Sequence, residues 1–250
     1  MVVRTLLIRG MVVGLAAGLL SWLFSYSFGE PGIEGAIAFE ERLSLAAGQS
    51  HGVELVSRGV QSTIGLGVAL LLFGVAIGGL FAIAYAVAYG RIASLSPRAT
   101  ALVLAAGAFL AVFLVPFLKY PANPPASSED STVGQRTGLY LVLVLVSVIL
   151  ALASTALGRR LYPRVGAWNA ALLASGLYVV TISVAMFVMP TVSETPADFP
   201  ATVLYDFRLA SLGNQVVLWA TIGLLFGWLT DRSLRHRSPA GERVDSAPVV

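Results

Sequence analysis

Residues of the kinds that bind metal ions gather in one acidic stretch of the chain. Glu40, Glu41, His51 and Glu54 all fall within residues 29–58. Carboxylate and imidazole ligands suit cobalt, nickel or zinc, and a negative surface concentrates cations before they bind. The stretch is therefore a candidate metal site. A solvated acidic loop is the alternative, because one histidine with carboxylates is far less specific than dedicated ligand spacing.

Three arginines hold matching places in the sequence. Arg58, Arg136 and Arg208 each stand just before a long apolar run that follows an acidic stretch. One interpretation is a ring of arginines that lines an outer vestibule. The alternative is that each side chain extends to the lipid headgroups, as arginines at the ends of membrane helices commonly do.

Two prolines stand at corresponding places in two similar segments. Pro116 lies in FLVPFLKYPANPP (113–125), and Pro190 lies in FVMPTVSETPADFP (187–200). Proline lacks an amide hydrogen and its ring clashes with the preceding helical turn. We expect both residues to stop or kink a helix at its outer end.

The cores of the apolar runs hold no aspartate, glutamate, lysine, arginine or histidine. A proton relay is therefore not predicted, and a cation that crosses would need neutral ligands. Serine, threonine and amide side chains serve packing more often than transport, because they bond to their own helix or to a neighbouring one. The further candidate pathway residues are Gln61, Met186, Met189, Asp206, Asn214 and Gln215.

Enzymatic chemistry has few residues to draw on. The chain has no cysteine, and its two histidines, His51 and His236, fall on opposite sides of the predicted membrane. A serine, histidine and aspartate triad cannot be assembled across a bilayer, and no glycine-rich phosphate loop is present. We expect neither catalysis nor a resident cofactor.

The elements that must position these residues are membrane helices. Of 250 residues, 57% are hydrophobic and 12% are charged, whereas soluble domains carry roughly a quarter charged residues. Runs of about 18 or more apolar residues cross the hydrocarbon of a bilayer as helices. The sequence predicts an all-α polytopic membrane protein with six transmembrane helices arranged as three in-out-in hairpins. The predicted spans lie near residues 10–28, 60–89, 99–118, 138–157, 167–189 and 210–229.

Orientation follows from the distribution of charge. Eleven of the sixteen basic residues lie on the side of the two termini, and ten of the thirteen acidic residues lie in the three opposite loops. Cytoplasmic loops retain lysine and arginine. We therefore expect a multi-pass protein of the cell membrane with both termini in the cytoplasm. Because the basic residues are dispersed, no nucleic-acid partner is predicted.

The chain is predicted to divide into two parts. Residues 1–232 form the transmembrane domain, with residues 29–58 as its outer acidic loop, and a helix over 33–47 lies on the outer surface. Residues 233–250 form a cytoplasmic tail in which apolar residues do not recur at helix or strand spacing, so the tail is predicted to be disordered. Glycines four residues apart, such as Gly10, Gly14 and Gly18, allow close approach of helices.

Three segments carry a resemblance to a known family. The runs FPATVLYDFRLASLGNQVVLWATIGLLFG (199–227), FLVPFLKYPANPP and RGVQSTIGLGVALLL (58–72) resemble CbtA, a family of predicted cobalt transporter subunits. The family's outer prolines and arginines correspond to Pro116, Pro121, Arg136 and Arg208. The resemblance implies cobalt uptake, with Co²⁺ as the transported ion, and a small histidine-bearing membrane partner, CbtB.

Two functions from different classes remain open at this point. In the first, the chain is a transport subunit that moves a divalent metal from an acidic outer face to an arginine-bearing inner face. In the second, it is a non-transporting scaffold or accessory subunit of another complex, whose glycine-bearing faces bind other helices. Cellular cobalt accumulation distinguishes the two.

Overall fold

The described chain is helical throughout. The computed structural model describes residues 3–48, 57–91, 95–125, 127, 130–192 and 195–235, and no strand occurs among them. Five helices are long and apolar enough to cross a membrane: α1 (Val3–Ala46), α2 (Arg58–Ala88), α3 (Pro97–Lys119), a helical run over Asp130–Val188, and α6 (Ala201–Arg235). The predicted all-α class is confirmed.

The run Asp130–Val188 is two antiparallel helices. Gly166 has φ 78° and ψ 169°, a conformation that is open almost only to glycine, and Pro163 lies in the turn before it. The hydroxyl oxygens of Ser147 and Tyr178 lie 2.8 Å apart, although 31 residues of straight helix would separate them by about 46 Å. The chain therefore reverses at Gly166, with α4 over residues 130–165 and α5 over 167–188.

Helix α1 is longer than the sequence predicts. The first span was expected to end near residue 28, with a separate surface helix over 33–47, but the helix continues to Ala46. Pro31 has no amide hydrogen for the carbonyl of Ser27, and a π-helical turn over Ser25–Gly29 precedes it. The wider turn accommodates the proline ring, so the helix continues past Pro31.

Pro116 and Pro190 act differently. Helix α3 runs through Pro116 to Lys119 by way of a π-helical turn over Phe109–Leu114, and a kink at Pro116 stays a prediction. The carbonyl of Val112, which Pro116 cannot bond, lies 3.5 Å from the Tyr140 hydroxyl. Helix α5 ends at Val188, two residues before Pro190.

Helices α1, α2, α3 and α6 form one packed unit, which we call the four-helix unit. The glycines of α1 meet α2 backbone to backbone: a Cβ at Gly14 would overlap the carbonyl oxygen of Gly74, and one at Gly18 would lie 2.5 Å from that of Leu70. Helix α6 packs against both α1 and α3. The main apolar core of the described part of this unit consists of Leu6, Val13, Ala17, Phe81, Ala82, Tyr85, Ala101, Ala105, Leu218, Trp219, Ile222 and Phe226.

The α4–α5 hairpin stands beside the four-helix unit. It packs on the half of α3 that ends at Lys119, and its core brings Leu143 and Ile182 against the buried Tyr120. This end of the structure is called outer and the opposite end inner, after the orientation that the charge distribution predicts. Large apolar side chains on its other faces are exposed, among them Leu152, Val180 and Phe187. Such a continuous apolar exterior is what hydrocarbon solvates and water does not.

Candidate functional site

The four predicted metal ligands do not come together within the described residues. Glu40 and Glu41 are exposed on the outer extension of α1, while His51 and Glu54 lie outside the part of the chain that the structure describes. Among the described residues, no three histidine, cysteine or acidic side chains cluster as a metal site would require. The four-ligand site stays a prediction.

The outer extension of α1 lies along the start of α6. Phe39 and Phe199 meet edge to face with ring centroids 5.0 Å apart, and Ala36 is fully buried beneath them. Because Gly35 has no side chain, Val203 packs close to its backbone; a Cβ at Gly35 would lie 3.0 Å from the Val203 side chain. This packing fixes one face of the extension and leaves the Glu40 and Glu41 carboxylates on the other.

Arg58 binds a carboxylate that the sequence analysis did not single out. Its guanidinium forms an ion pair with Glu30, which connects the start of α2 to α1 just past the π-helical turn. Glu30 is only 7% exposed, and a buried carboxylate is stable as an anion only when it is paired. The number of acidic residues in 29–58 did not indicate that one of them, Glu30, would be buried.

Arg136 and Arg208 bind the same outer loop. Arg136 donates to the carbonyl of Pro121, and Arg208 donates to the carbonyl of Ala122 at 3.2 Å and to Oδ1 of Asn123 at 2.9 Å. The loop at residues 121–124 is not helical and its prolines have no amide hydrogen to donate, so its carbonyls are available to accept from side chains. Two of the three arginines thus meet at one loop, whereas the third pairs with Glu30.

The two proline-bearing segments contact each other. Tyr120 donates its hydroxyl to the carbonyl of Pro190 at 2.7 Å, and Lys119 donates to the Thr191 hydroxyl at 3.2 Å. Burial raises the pKa of the Tyr120 phenol, so it remains a donor. The outer end of α3 is thereby connected to the end of α5.

The remaining pathway candidates divide between two places. Met186 and Met189 pack in the core of the α4–α5 hairpin. Asn214 and Gln215 lie on α6 in the four-helix unit, partly buried. Gln61 and Asp206 are exposed near the outer ends of α2 and α6. The methionine thioethers and the amide groups of Asn214 and Gln215 are therefore not neighbours along one ion pathway.

A polar cluster closes the inner end of the four-helix unit. Asp231 is 7% exposed and pairs with Arg98 at 2.8 Å and with Arg235 at 3.1 Å. Arg9 donates to the Thr230 hydroxyl at 2.9 Å, so α1, α3 and α6 meet there. The sequence held one signal for this cluster, the four-residue spacing of Asp231 and Arg235 on one helix face.

The geometry gives the four-helix unit a paired carboxylate at each end. Arg9 bonds Thr230, the neighbour of Asp231, so Arg9 marks the level of the inner cluster on α1. Glu30 is 21 residues further along the same helix, a distance of about 32 Å, which is close to the hydrocarbon thickness of a bilayer.

Comparison with known proteins agrees with this geometry. Residues 3–231 match the family model described as "Probable cobalt transporter subunit (CbtA)". No curated protein and no solved structure matches the chain. The family is one of transporter subunits rather than of enzymes, and its description fits the apolar helices that place the chain in a membrane. Because the match covers nearly the whole chain, the protein belongs to the CbtA family.

Proposed function

We propose that this protein is the membrane-spanning subunit of a cobalt uptake system. The observation that carries the proposal is the match to the CbtA family over residues 3–231. In this proposal Co²⁺ gathers at the acidic outer surface, passes through the four-helix unit and leaves at the inner cluster around Asp231.

The proposed topology has six crossings with both termini in the cytoplasm. The reversal at Gly166 supports six rather than five, because it splits the run Asp130–Val188 into two helices, each long enough to span. The excess of arginine on the side of the termini supports the orientation.

Glu40 and Glu41, together with His51 and Glu54, are proposed to collect the metal before it enters. The exposed position of the two glutamates on the outer extension of α1 supports this role. A complete ligand set needs more nitrogen donors than one histidine provides. We propose that a small histidine-bearing membrane partner supplies them.

Uptake of radioactive cobalt by cells that lack their own cobalt uptake tests the proposal. Cells that make this chain together with its partner should accumulate cobalt above cells that make the partner alone. Zinc and nickel in excess measure the selectivity. If accumulation is unchanged while another membrane complex is lost on deletion of the chain, the protein is a scaffold and the proposal is wrong.

Matched variants locate the collecting residues. Replacing Glu40 and Glu41 together by glutamine should raise the cobalt concentration needed for half-maximal uptake. Glu34→Gln is the control, since Glu34 is also exposed on this extension but was not assigned to the set. The control removes one charge and the double variant removes two, so an effect of the control half as large in free energy would mean that only the net negative charge matters.

A further inference from the structure

An apolar groove lies between α3 and α6 on the four-helix unit. Its volume is about 220 Å³, and an apolar cavity of about 150 Å³ already admits benzene. The groove can therefore take one large apolar side chain. Of the side chains that line it, Trp219 alone carries a polar group. The α3 wall consists of Leu102, Ala105, Ala106 and Phe109, and the α6 wall includes Trp219 and Ala220.

The indole N–H of Trp219 has no acceptor. Trp219 is 8% exposed, and its Nε1 is buried and unpaired within the described part of the chain. Trp22, by contrast, donates its indole N–H to the carbonyl of Thr63 at 3.1 Å, as buried tryptophans usually do. A buried donor without an acceptor costs the loss of its hydration. A molecule in the groove contacts this ring, and an acceptor on that molecule is the partner that Nε1 lacks.

Trp219 lies at the middle of the membrane. Phe207 packs on Gly32, two residues past Glu30, at the outer end of the four-helix unit, and Asp231 belongs to the inner cluster. Trp219 is 12 residues from Phe207 and 12 from Asp231, about 18 Å along α6 in each direction. Headgroups lie outside the roughly 30 Å of hydrocarbon, so neither lipid nor water offers an acceptor at this depth. The acceptor for Trp219 must therefore belong to a polypeptide.

The groove is continuous with a surface that is already covered. The π-helical turn over Phe109–Leu114 contacts both the α4–α5 hairpin and α6, and Phe109 also lines the groove. The hairpin thus packs beside the outer end of the groove. Further toward the inner side, Ala106 and Ala220 are exposed on the two walls. The helix that would complete this surface is absent from the described part of the chain.

We propose that the groove is the docking site for one transmembrane helix of the partner subunit, which rests on the proposed function. Ala106 and Ala220 let the backbone of that helix come close, as small residues do where membrane helices meet. A large apolar side chain of the helix fills the groove, and a hydroxyl or amide oxygen on it accepts from the Trp219 indole. The family description of the chain as a subunit agrees with such a second chain.

Photocrosslinking in cells of the protein's own organism tests the docking directly. Benzoylphenylalanine takes the place of Leu102, which lines the groove and is 43% exposed, and the products formed on illumination are identified by mass spectrometry. The expected product joins this chain to a protein with a single transmembrane segment. The matched control carries benzoylphenylalanine in place of Leu72, an exposed residue of α2 that does not line the groove, and it should not give this product.

Substitutions in the groove show whether the groove itself holds the helix. Under conditions where capture is incomplete, Ala220→Leu should lower the yield of the product at least about fivefold, because it overfills the contact. Ala84→Leu, on an exposed position of α2, should leave the yield within about twofold. Trp219→Phe removes the unpaired N–H and should lower the yield about threefold, the usual effect of one hydrogen bond between membrane helices. The melting temperature of the purified Trp219→Phe chain should stay the same or rise.

The docking proposal is wrong if the position of Leu102 captures only lipid or a second copy of this chain. It is also wrong if the control position gives the same product equally well, or if Ala220→Leu leaves the yield unchanged. Cobalt uptake in the same cells separates this inference from the proposed function. Uptake without the expected product refutes the docking site and leaves the transport function standing. The expected product without any cobalt uptake supports the docking site and refutes the transport function.

Discussion

The close approach of α1 and α2 at Gly14 gives the sharpest prediction of stability. Gly14→Ala would place a Cβ that overlaps the carbonyl oxygen of Gly74 and lies 2.8 Å from its carbonyl carbon and 3.1 Å from the Cα of Gly78. All three atoms belong to the backbone of α2, so no side chain can rotate away. Helices α1 and α2 would have to separate by about an ångström, which weakens their dispersion contacts along the whole interface.

The size of the effect follows from two opposing terms. Overpacking of this kind costs about 1–3 kcal/mol, whereas replacement of a helical glycine by alanine gains about 0.5–1 kcal/mol. Gly107→Ala should show only the stabilising effect of the helical alanine and no overpacking cost, because a Cβ at Gly107 meets nothing within 4 Å. The two variants should therefore differ by about 1–3 kcal/mol in free energy of unfolding, with Gly14→Ala the less stable.

The assay is reversible unfolding in mixed micelles as the fraction of denaturing detergent is raised, followed by helical circular dichroism. Gly107→Ala should unfold at the same fraction as the unmodified protein or at a slightly higher one. Gly14→Ala should unfold clearly earlier. Equal stability of the two variants would show that α1 and α2 do not meet through their glycines, and the reasoning about the four-helix unit would be refuted.

Three further substitutions test other parts of the fold. Asp231→Asn should lower the free energy of unfolding by about 1–2 kcal/mol, because it weakens the pair with the half-exposed Arg98; an unchanged stability in the same assay would contradict the inner cluster. Gly166→Ala should cost about 1–3 kcal/mol, since alanine does not adopt φ 78° and ψ 169°, and the turn is misplaced if no loss is measured. Tyr120→Phe removes the hydrogen bond to Pro190 and should cost about 1 kcal/mol; a stabilised variant would argue against that contact.

Much of the fold could be predicted because apolar length and local charge decide it. The helical class and the four-residue spacing of the α1 glycines depend on residues close together in sequence. The extension of α1 past Pro31 could not be predicted, since a proline normally ends a helix and the π-helical turn that accommodates it has no clear sequence signal.

The site was less predictable because its contacts are long-range. Arg58, Arg136 and Arg208 look alike in sequence, but one binds a carboxylate and two bind the carbonyls of one loop. The burial of Glu30 and Asp231 depends on helices that are distant in the chain.

The six-crossing orientation is the claim on which the transport route depends, and labelling of single cysteines tests it most directly. The chain has no cysteine of its own, so Glu40→Cys and Arg160→Cys each introduce one thiol. In intact cells a membrane-impermeant maleimide should label the cysteine at position 40, and it should label the one at position 160 only after the membrane is opened. Equal labelling of both positions in intact cells would contradict the account.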